Sequence, residues 1–385
     1  MPDSPFVTGA ASLTVLCTMA AGAAAPTRVY FGTYTGGKDN PSEGIYTSLL
    51  DPATGAISQP QLAAKEQRPS FLALHPDGQH LYAVCSMEGE GKKQIGGVSA
   101  FSIDRNTGQL NPINRQPSEG DGPCHVSVDK TGRCAMVANY GSGSVAALQI
   151  AADGSLRRAR CVIQHEGSSV NPKRQTGPHA HSIFPDPSNR FACAPDLGID
   201  KILIYRLDPE AALLEPNGHA VLPPGSGPRH IAFHPSGRFA YSINELKSTI
   251  TSFTWDASNG VLSPIRSVST LPPDFSDPNT TAEIKVHPNG KFLYGSNRGH
   301  DSIAVFTIDQ ERGGLRFVEW ENVRGKAPRN FNIDPSGAFL LAAGQDSDSV
   351  AVFRIDPTTG ALDFAGHEIK VPRPVCVLFL PPISK

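Results

Sequence analysis

The stretch PRHIAFHPSGRFAYSIN, residues 228–244, decides the fold. It runs as Pro, two variable residues, a short apolar alternation, a His-Pro-x-Gly turn, and a second apolar run. The same phrase returns as TAEIKVHPNGKFLYGSN at 281–297, PRNFNIDPSGAFLLAAG at 328–344 and PSFLALHPDGQHLYAVC at 69–85. Weaker copies begin at Pro123 and Pro178, so the starts are 47 to 55 residues apart. Each copy is followed by a strand such as SIAVFTID (302–309) or SVAVFRID (349–356), then a turn. A period near 50 residues with two-residue alternation and no helical pattern predicts an all-β fold, the β-propeller.

Six copies account for six blades. The remainder is divided between the ends: VYFGTY (29–34) and GIYTSLL (44–50) at the start, PVCVLFL (374–380) at the finish. Joining both ends in one blade closes the ring and removes the exposed edges. The expectation is a seven-bladed propeller over residues 28–385, closed by N- and C-terminal strands sharing a blade. Residues 1–27 stand apart. AASLTVLCTMAAGAAA (10–25) is apolar, ends in small residues before Pro26, and is too short to span a bilayer. It reads as a secretory signal, although Asp3 and the lack of Lys or Arg near the start leave a cytoplasmic location open.

The composition of 37 Gly and 34 Pro in 385 residues suits a turn-rich ring. A net charge of −2 gives no footprint for nucleic acid. Cys85, Cys134 and Cys193 sit in apolar runs and read as small packed hydrophobes. No Cys-x-x-Cys pair offers a metal or redox site.

The turn histidines His75, His234 and His287 recur because the turn recurs, so they read as structural. The residues that vary between copies carry function. Because the hairpin doubles back, the start of its first strand and the end of its second share one mouth of the channel. The first column contains Cys124-His125, His181-Ser182, Arg229-His230, Ala282-Glu283 and Arg329-Asn330; the second contains Asn139-Tyr140, Asn244-Glu245, Asn297-Arg298 and Gly344-Gln345. Arginines, glutamates and histidines gathered at a neck are costly to desolvate. The alternative to a site is pairing across blade seams. Three arginines fit an anionic ligand or a developing oxyanion. A histidine and a glutamate fit acid–base work near neutral pH. Arginine among the acidic groups argues against a dication, so no metal is expected here.

The motifs GPHAHSIFPDP (177–187), GSGPRHIAFHPSGRFAYSINEL (225–246), AEIKVHPNGKFLYGSNRGHDSIAVF (282–306) and PRNFNIDPSGAFLLAAGQDSDSVAVF (328–353) resemble the 6-phosphogluconolactonase family of seven-bladed propellers, related to carboxy-muconate lactonizing enzymes. The resemblance implies a cofactor-free, lactone-active site and a place in carbohydrate metabolism. It implies His181, Arg229, Glu245 and Arg298 as the catalytic and anion-binding set, the same four that the columns isolate. His179, His230, Glu283, Arg329 and Gln345 are expected to bind the substrate, with His179 the competitor of His181 for the role of base. The expected partner is a small anionic or sugar lactone, with no nucleic acid and no membrane span. Two other readings remain at this point: a muconate-type cycloisomerase and a non-catalytic binding propeller.

Overall fold

A computed structural model of the protein describes residues 25–36 and 41–381. The signal-like segment falls almost wholly outside these residues. The described chain forms seven four-stranded antiparallel sheets. The only helical element among the described residues is a single 3₁₀ turn at Glu90–Lys92.

Ring closure follows the division read from the two ends. Pro374–Leu380 pairs antiparallel with Thr27–Thr33, setting Arg28 against Leu380 and Phe31 against Val377. The last strand thereby becomes the innermost strand of a sheet whose other three strands come from the N-terminus.

Each sheet is apolar on both faces, and the apolar side chains meet at the seams. Seven hydrophobic clusters each draw on two neighbouring blades. One joins Tyr30 and Ile45 of the closing blade to Leu72, Leu81 and Phe101 of the next. Another joins Phe292 and Tyr294 to Phe331 and Phe353. No blade buries its faces alone, so the ring is the unit that folds.

The His-Pro-x-Gly turns lock the same seams by hydrogen bonding. His75 Nε2 lies 2.8 Å from Gly132 O, His234 Nε2 2.8 Å from Gly290 O, and His287 Nε2 2.8 Å from Gly337 O. A carbonyl only accepts, so Nε2 carries the proton in all three. Each turn histidine therefore donates to the turn glycine of the next blade, the structural role read from recurrence. Gly290 is needed twice over: its φ is +73°, and a Cβ there would meet His234 Nε2 at 2.8 Å. Turns that begin with aspartate cap themselves instead; Asp334 Oδ1 accepts from Phe339 N at 2.7 Å.

The innermost strands depart from ideal pairing where the site needs it. The ladder skips a residue between Pro123 and His125, between Pro228 and His230, and between Pro328 and Asn330. Thr281 and Ile284 bracket a two-residue gap. The innermost strand expected from Pro178 shrinks to Phe184–Pro185, with one isolated bridge between Ala180 and Asp196. These are β-bulges, which re-aim side chains at the cost of ladder bonds. The bulges leave Cys124, Arg229, Ala282, Glu283 and Arg329 without a cross-strand partner, and His181 lies beside the isolated bridge with its N–H on Pro195 O at 3.0 Å.

Gly290→Ala should destabilise the ring by about 1–3 kcal/mol, from forced positive φ and the crowded histidine. Gly314→Ala, where φ is ordinary and the nearest atom is 4.0 Å away, should stay within about 0.5 kcal/mol. Denaturant unfolding of the two variants checks both values.

Candidate active site

The bulged residues and the ends of the second strands surround a cavity of about 720 Å³ at one end of the channel. The first column divides into two layers. The bulged residues Cys124 and Arg329, with Ser70 and His181 at the matching positions of their blades, face the cavity. The next position in each blade points into the channel and fills it. There Phe71 and His125 lie 4.2 Å apart between ring centroids, and His125 and His230 lie 5.5 Å apart. Phe71 also approaches His230 at 5.8 Å, although they belong to blades that are not neighbours. Contact across the axis means that this layer is a plug.

The plug is polar and closed by hydrogen bonds. His230 Nδ1 is 3.0 Å from Glu283 Oε1. Asn330 donates to the other oxygen of Glu283, and Asn330 Oδ1 accepts from Val377 N at 2.8 Å. Burial, then the Arg229 charge, holds His230 well below the ordinary histidine range, so it meets Glu283 as a neutral donor. His230 and Glu283, expected to touch substrate, instead form the floor beneath the cavity.

Above the floor, one carboxylate organises the cations. Glu245 Oε1 is 2.8 Å from Arg174 and Oε2 is 3.1 Å from both Arg229 Nε and Arg298. The Arg229 contact is ionic only, because its Nε–H finds no aligned acceptor. Arg229 is 3% exposed and donates through its terminal nitrogen to Ala282 O at 2.6 Å, so it backs the wall rather than lining it. Burial opposes the charge on Glu245, but Arg298 and Arg229, with Arg174, overcome it and hold the carboxyl far below its ordinary value. Burial, with Arg329 and Arg298 adding to it, lowers Arg229 to about 9, which leaves it cationic at neutral pH.

His181 lines the cavity and is 4% exposed. Burial, then the Arg229 charge, pushes its pKa well below 6.5, so the imidazole is neutral at physiological pH. Its Nδ1 lies 3.7 Å from Cys124 Sγ, whose thiol donates to His181 O at 3.2 Å. Burial raises that thiol to about 12, which keeps it protonated. No protein group is bonded to His181 Nε2 among the described residues, and no hydrogen bond joins His181 to Glu245. Glu245 does not orient His181, because its oxygens are committed to arginines.

His179 stands behind the wall. Its ring stacks on Tyr140 at 4.5 Å and 13°, and Nδ1 is 2.9 Å from Tyr140 O. Gln345 does not line the cavity; its amide donates to Asp346 Oδ1 at 2.9 Å. Arg329 does line it. Arg329 and Arg68 lie 5.4 and 5.9 Å from the centroid of the Tyr34 ring, and neither has an acidic partner among the described residues.

Arg174 was outside the reach of the repeat. It lies on the connection between Gln164 and Phe184, the longest between blades, and also bonds Tyr140 OH at 3.1 Å. Column reading sees only positions that every blade possesses. The unusual length of this connection was the available signal. Altogether Arg68, Lys93, Arg174, Arg298 and Arg329 line the cavity against two carboxylates, Asp121 and Glu245. Such a surface binds an anion and stabilises an oxyanion, with a neutral imidazole available to accept a proton.

Residues 28–379 match the family profile "Lactonase, 7-bladed beta-propeller". The chain is 40% identical to a 6-phosphogluconolactonase of Bacillus subtilis over 351 residues, covering 91% of this chain and 97% of that protein. It is 33% identical to a 6-phosphogluconolactonase of Formosa agariphila, covering 80% and 86%. The solved structure of a periplasmic gluconolactonase of Pseudomonas aeruginosa superimposes with a TM-score of 0.86 at 36% identity, covering 92% of this chain and 99% of that one.

Glu245→Gln should destabilise the protein by about 3–5 kcal/mol, because it leaves three clustered guanidinium groups without their anion. The carboxyl is held below its ordinary 4.5, so this contribution is complete above that pH and fades as the pH falls further. Unfolding free energies of wild type and variant between pH 3 and 7 should converge toward the acid end.

Proposed function

The chain belongs to the family of seven-bladed lactonase propellers, and we propose that it hydrolyses a phosphorylated sugar lactone, 6-phosphoglucono-1,5-lactone or a close aldonolactone relative. The observation that carries the reading is His181: a buried, neutral imidazole whose Nε2 has no partner among the described residues, facing a cavity walled by cations.

The lactone carbonyl lies toward Arg298, whose terminal nitrogen already spans Glu245 and Thr281 O at 2.8 Å and is therefore fixed in place. Water attacks the carbonyl carbon and gives its proton to His181 Nε2. The developing oxyanion is met by the Arg298 charge. The ring C–O bond breaks, and the departing oxygen takes the proton back from His181, leaving an open-chain acid. Arg229 and Arg174 act through Glu245 and hold the Arg298 guanidinium in register. Tyr34 with Arg68 and Arg329 forms the far wall, where two unneutralised guanidinium groups suit a phosphate. No step requires a metal or a cofactor.

No helix among the described residues is long and apolar enough to cross a membrane. The signal-like start and the periplasmic gluconolactonase among the similar structures support export. N-terminal sequencing of the natural protein tests this by showing whether the chain begins near Pro26.

Proton release from a panel of phosphorylated and unphosphorylated aldonolactones tests the activity. His181→Asn should lower kcat by about 10²- to 10⁴-fold, the range of general acid–base contributions, with the fold retained. In wild type the acid limb of kcat/KM should lie below pH 6.5, because His181 works in its neutral form and its pKa is depressed. That limb should vanish in the variant. Arg329→Ala and Arg68→Ala should raise KM for the phosphorylated lactone and leave the unphosphorylated one nearly unchanged. Equal effects on both substrates would remove the phosphate assignment while leaving lactone hydrolysis standing.

A further inference from the structure

The turn His75-Pro76-Asp77-Gly78-Gln79-His80 departs from its siblings at two positions. Where this turn has Asp77, the other five place Thr131, Ser188, Ser236, Asn289 and Ser336; where it has His80, they place Cys134, Phe191, Phe239, Phe292 and Phe339. Where the sixth residue is aromatic, it lays its ring against a glycine of the next blade. A Cβ on Gly313 would meet Phe239 at 2.4 Å, one on Gly360 would meet Phe292 at 2.4 Å, and one on Gly154 would meet His80 at 2.2 Å. His80 thus fills the aromatic's packing place and brings two nitrogens with it.

The donor atoms of His75, Asp77 and His80 all lie within 4.8 Å of one another, the one such group of histidine, cysteine and carboxylate side chains among the described residues. His80 Nδ1 is 2.8 Å from Asp77 Oδ2, and His75 Nδ1 is 2.9 Å from Asp77 Oδ1. The second contact has a consequence. His75 Nε2 carries the proton that it donates to Gly132 O, so the neutral ring presents a lone pair at Nδ1. In the sibling turn the matching lone pair, on His234 Nδ1, is met at 2.7 Å by the Ser236 hydroxyl, which can donate. A carboxylate cannot. The Asp77 N–H reaches His75 Nδ1 at 3.2 Å, as the Ser236 N–H reaches His234 Nδ1 at 3.1 Å, but the carboxylate oxygen at 2.9 Å adds an unfavourable contact that a positive charge, a proton or a metal cation, relieves.

We infer that His75 Nδ1, Asp77 and His80 form a binding site for a divalent transition-metal ion, zinc or cobalt in kind, with water completing the coordination. Two imidazoles and one carboxylate are the ligand set that borderline cations take. The bond from His75 Nε2 to a backbone carbonyl is the outer contact that fixes tautomer and ring orientation in metal-ligating histidines. The rings stand at 84° with centroids 5.6 Å apart, which leaves room between them. The group opens onto a cavity of about 340 Å³ shared with Thr131, Gly132 and Arg133 of the next blade, so water can reach the ion. Glu210 on the same cavity is already paired with Arg133.

The site is separate from the lactone cavity. The innermost strand begins at the cavity and ends at this turn, about 20 Å away at ~3.3 Å per residue. A bound ion ties together residues that both contact the following blade, so its effect is on the seam and not on turnover.

The test uses untagged full-length protein stripped with chelator and titrated with Co²⁺ and Zn²⁺. Cobalt binding is followed by visible absorption, and zinc binding by calorimetry and by the thermal midpoint. The expected result is saturable uptake of one ion, with a rise in the midpoint. His80→Phe and Asp77→Ser install residues that the sibling turns already carry, so both variants should fold. Each should lose the uptake and the thermal shift, with lactone turnover unchanged. Absence of saturable uptake by the wild type, or uptake retained in either variant, would overturn the assignment and leave a proton as the charge between His75 and Asp77.

Discussion

A single carboxylate makes the mouth of this ring possible. Arg174, Arg229 and Arg298 come from an inter-blade connection and two different blades, and each would repel the others in a dry neck. Glu245 pairs with all three. Burial works against its charge, yet the arginines hold it ionised. The cations in turn are held in position without being fully neutralised, since three positive charges share one negative one. The cavity therefore keeps an excess of positive potential while remaining structured. A cluster of this kind is built for binding an anion.

The bulges supply the geometry. A regular innermost strand would alternate its side chains between the two faces of its own sheet, burying each against a neighbouring blade. Skipping one residue turns Cys124, Arg229 and Arg329 away from that alternation, and in the third blade the ladder is given up around His181. The residue after each bulge drops into the channel and closes it. The lost ladder bonds are offset elsewhere. Glu283 N finds Ser296 Oγ at 3.0 Å, and Val377 N finds Asn330. Plug and site are thus two consequences of one backbone irregularity repeated around the ring.

The seams answer to different forces at their two ends. At the turn end of three seams, a histidine of one blade donates to a glycine carbonyl of the next, and an aromatic ring covers a second glycine. At the mouth end, charged side chains carry the contact. Between them lie the apolar clusters, each shared by two blades. The hydrophobic middle and the turn bonds hold neighbouring blades together away from the mouth.

The sequence by itself determined the ring. The fifty-residue phrase, the turn histidines, the closing strands at 29–34 and 374–380, and the convergence of His181, Glu245, Arg298 and Arg329 at one mouth all follow from a period and an alternation, which local chemistry enforces in every copy. Only the tertiary structure decided depth and direction. Arg229 and His230 are adjacent in sequence, yet the bulge turns one to the wall and the other into the plug. Gln345 and His179 occupy column positions or flank them, but turn away from the cavity to bonds with Asp346 and Tyr140. Arg174 enters from a connection that no repeat contains. A repeat records which end of a strand faces the channel. Which way a side chain points at an irregular backbone, and what a long loop reaches, depend on contacts between residues distant in the chain, and these exist only once the ring has closed.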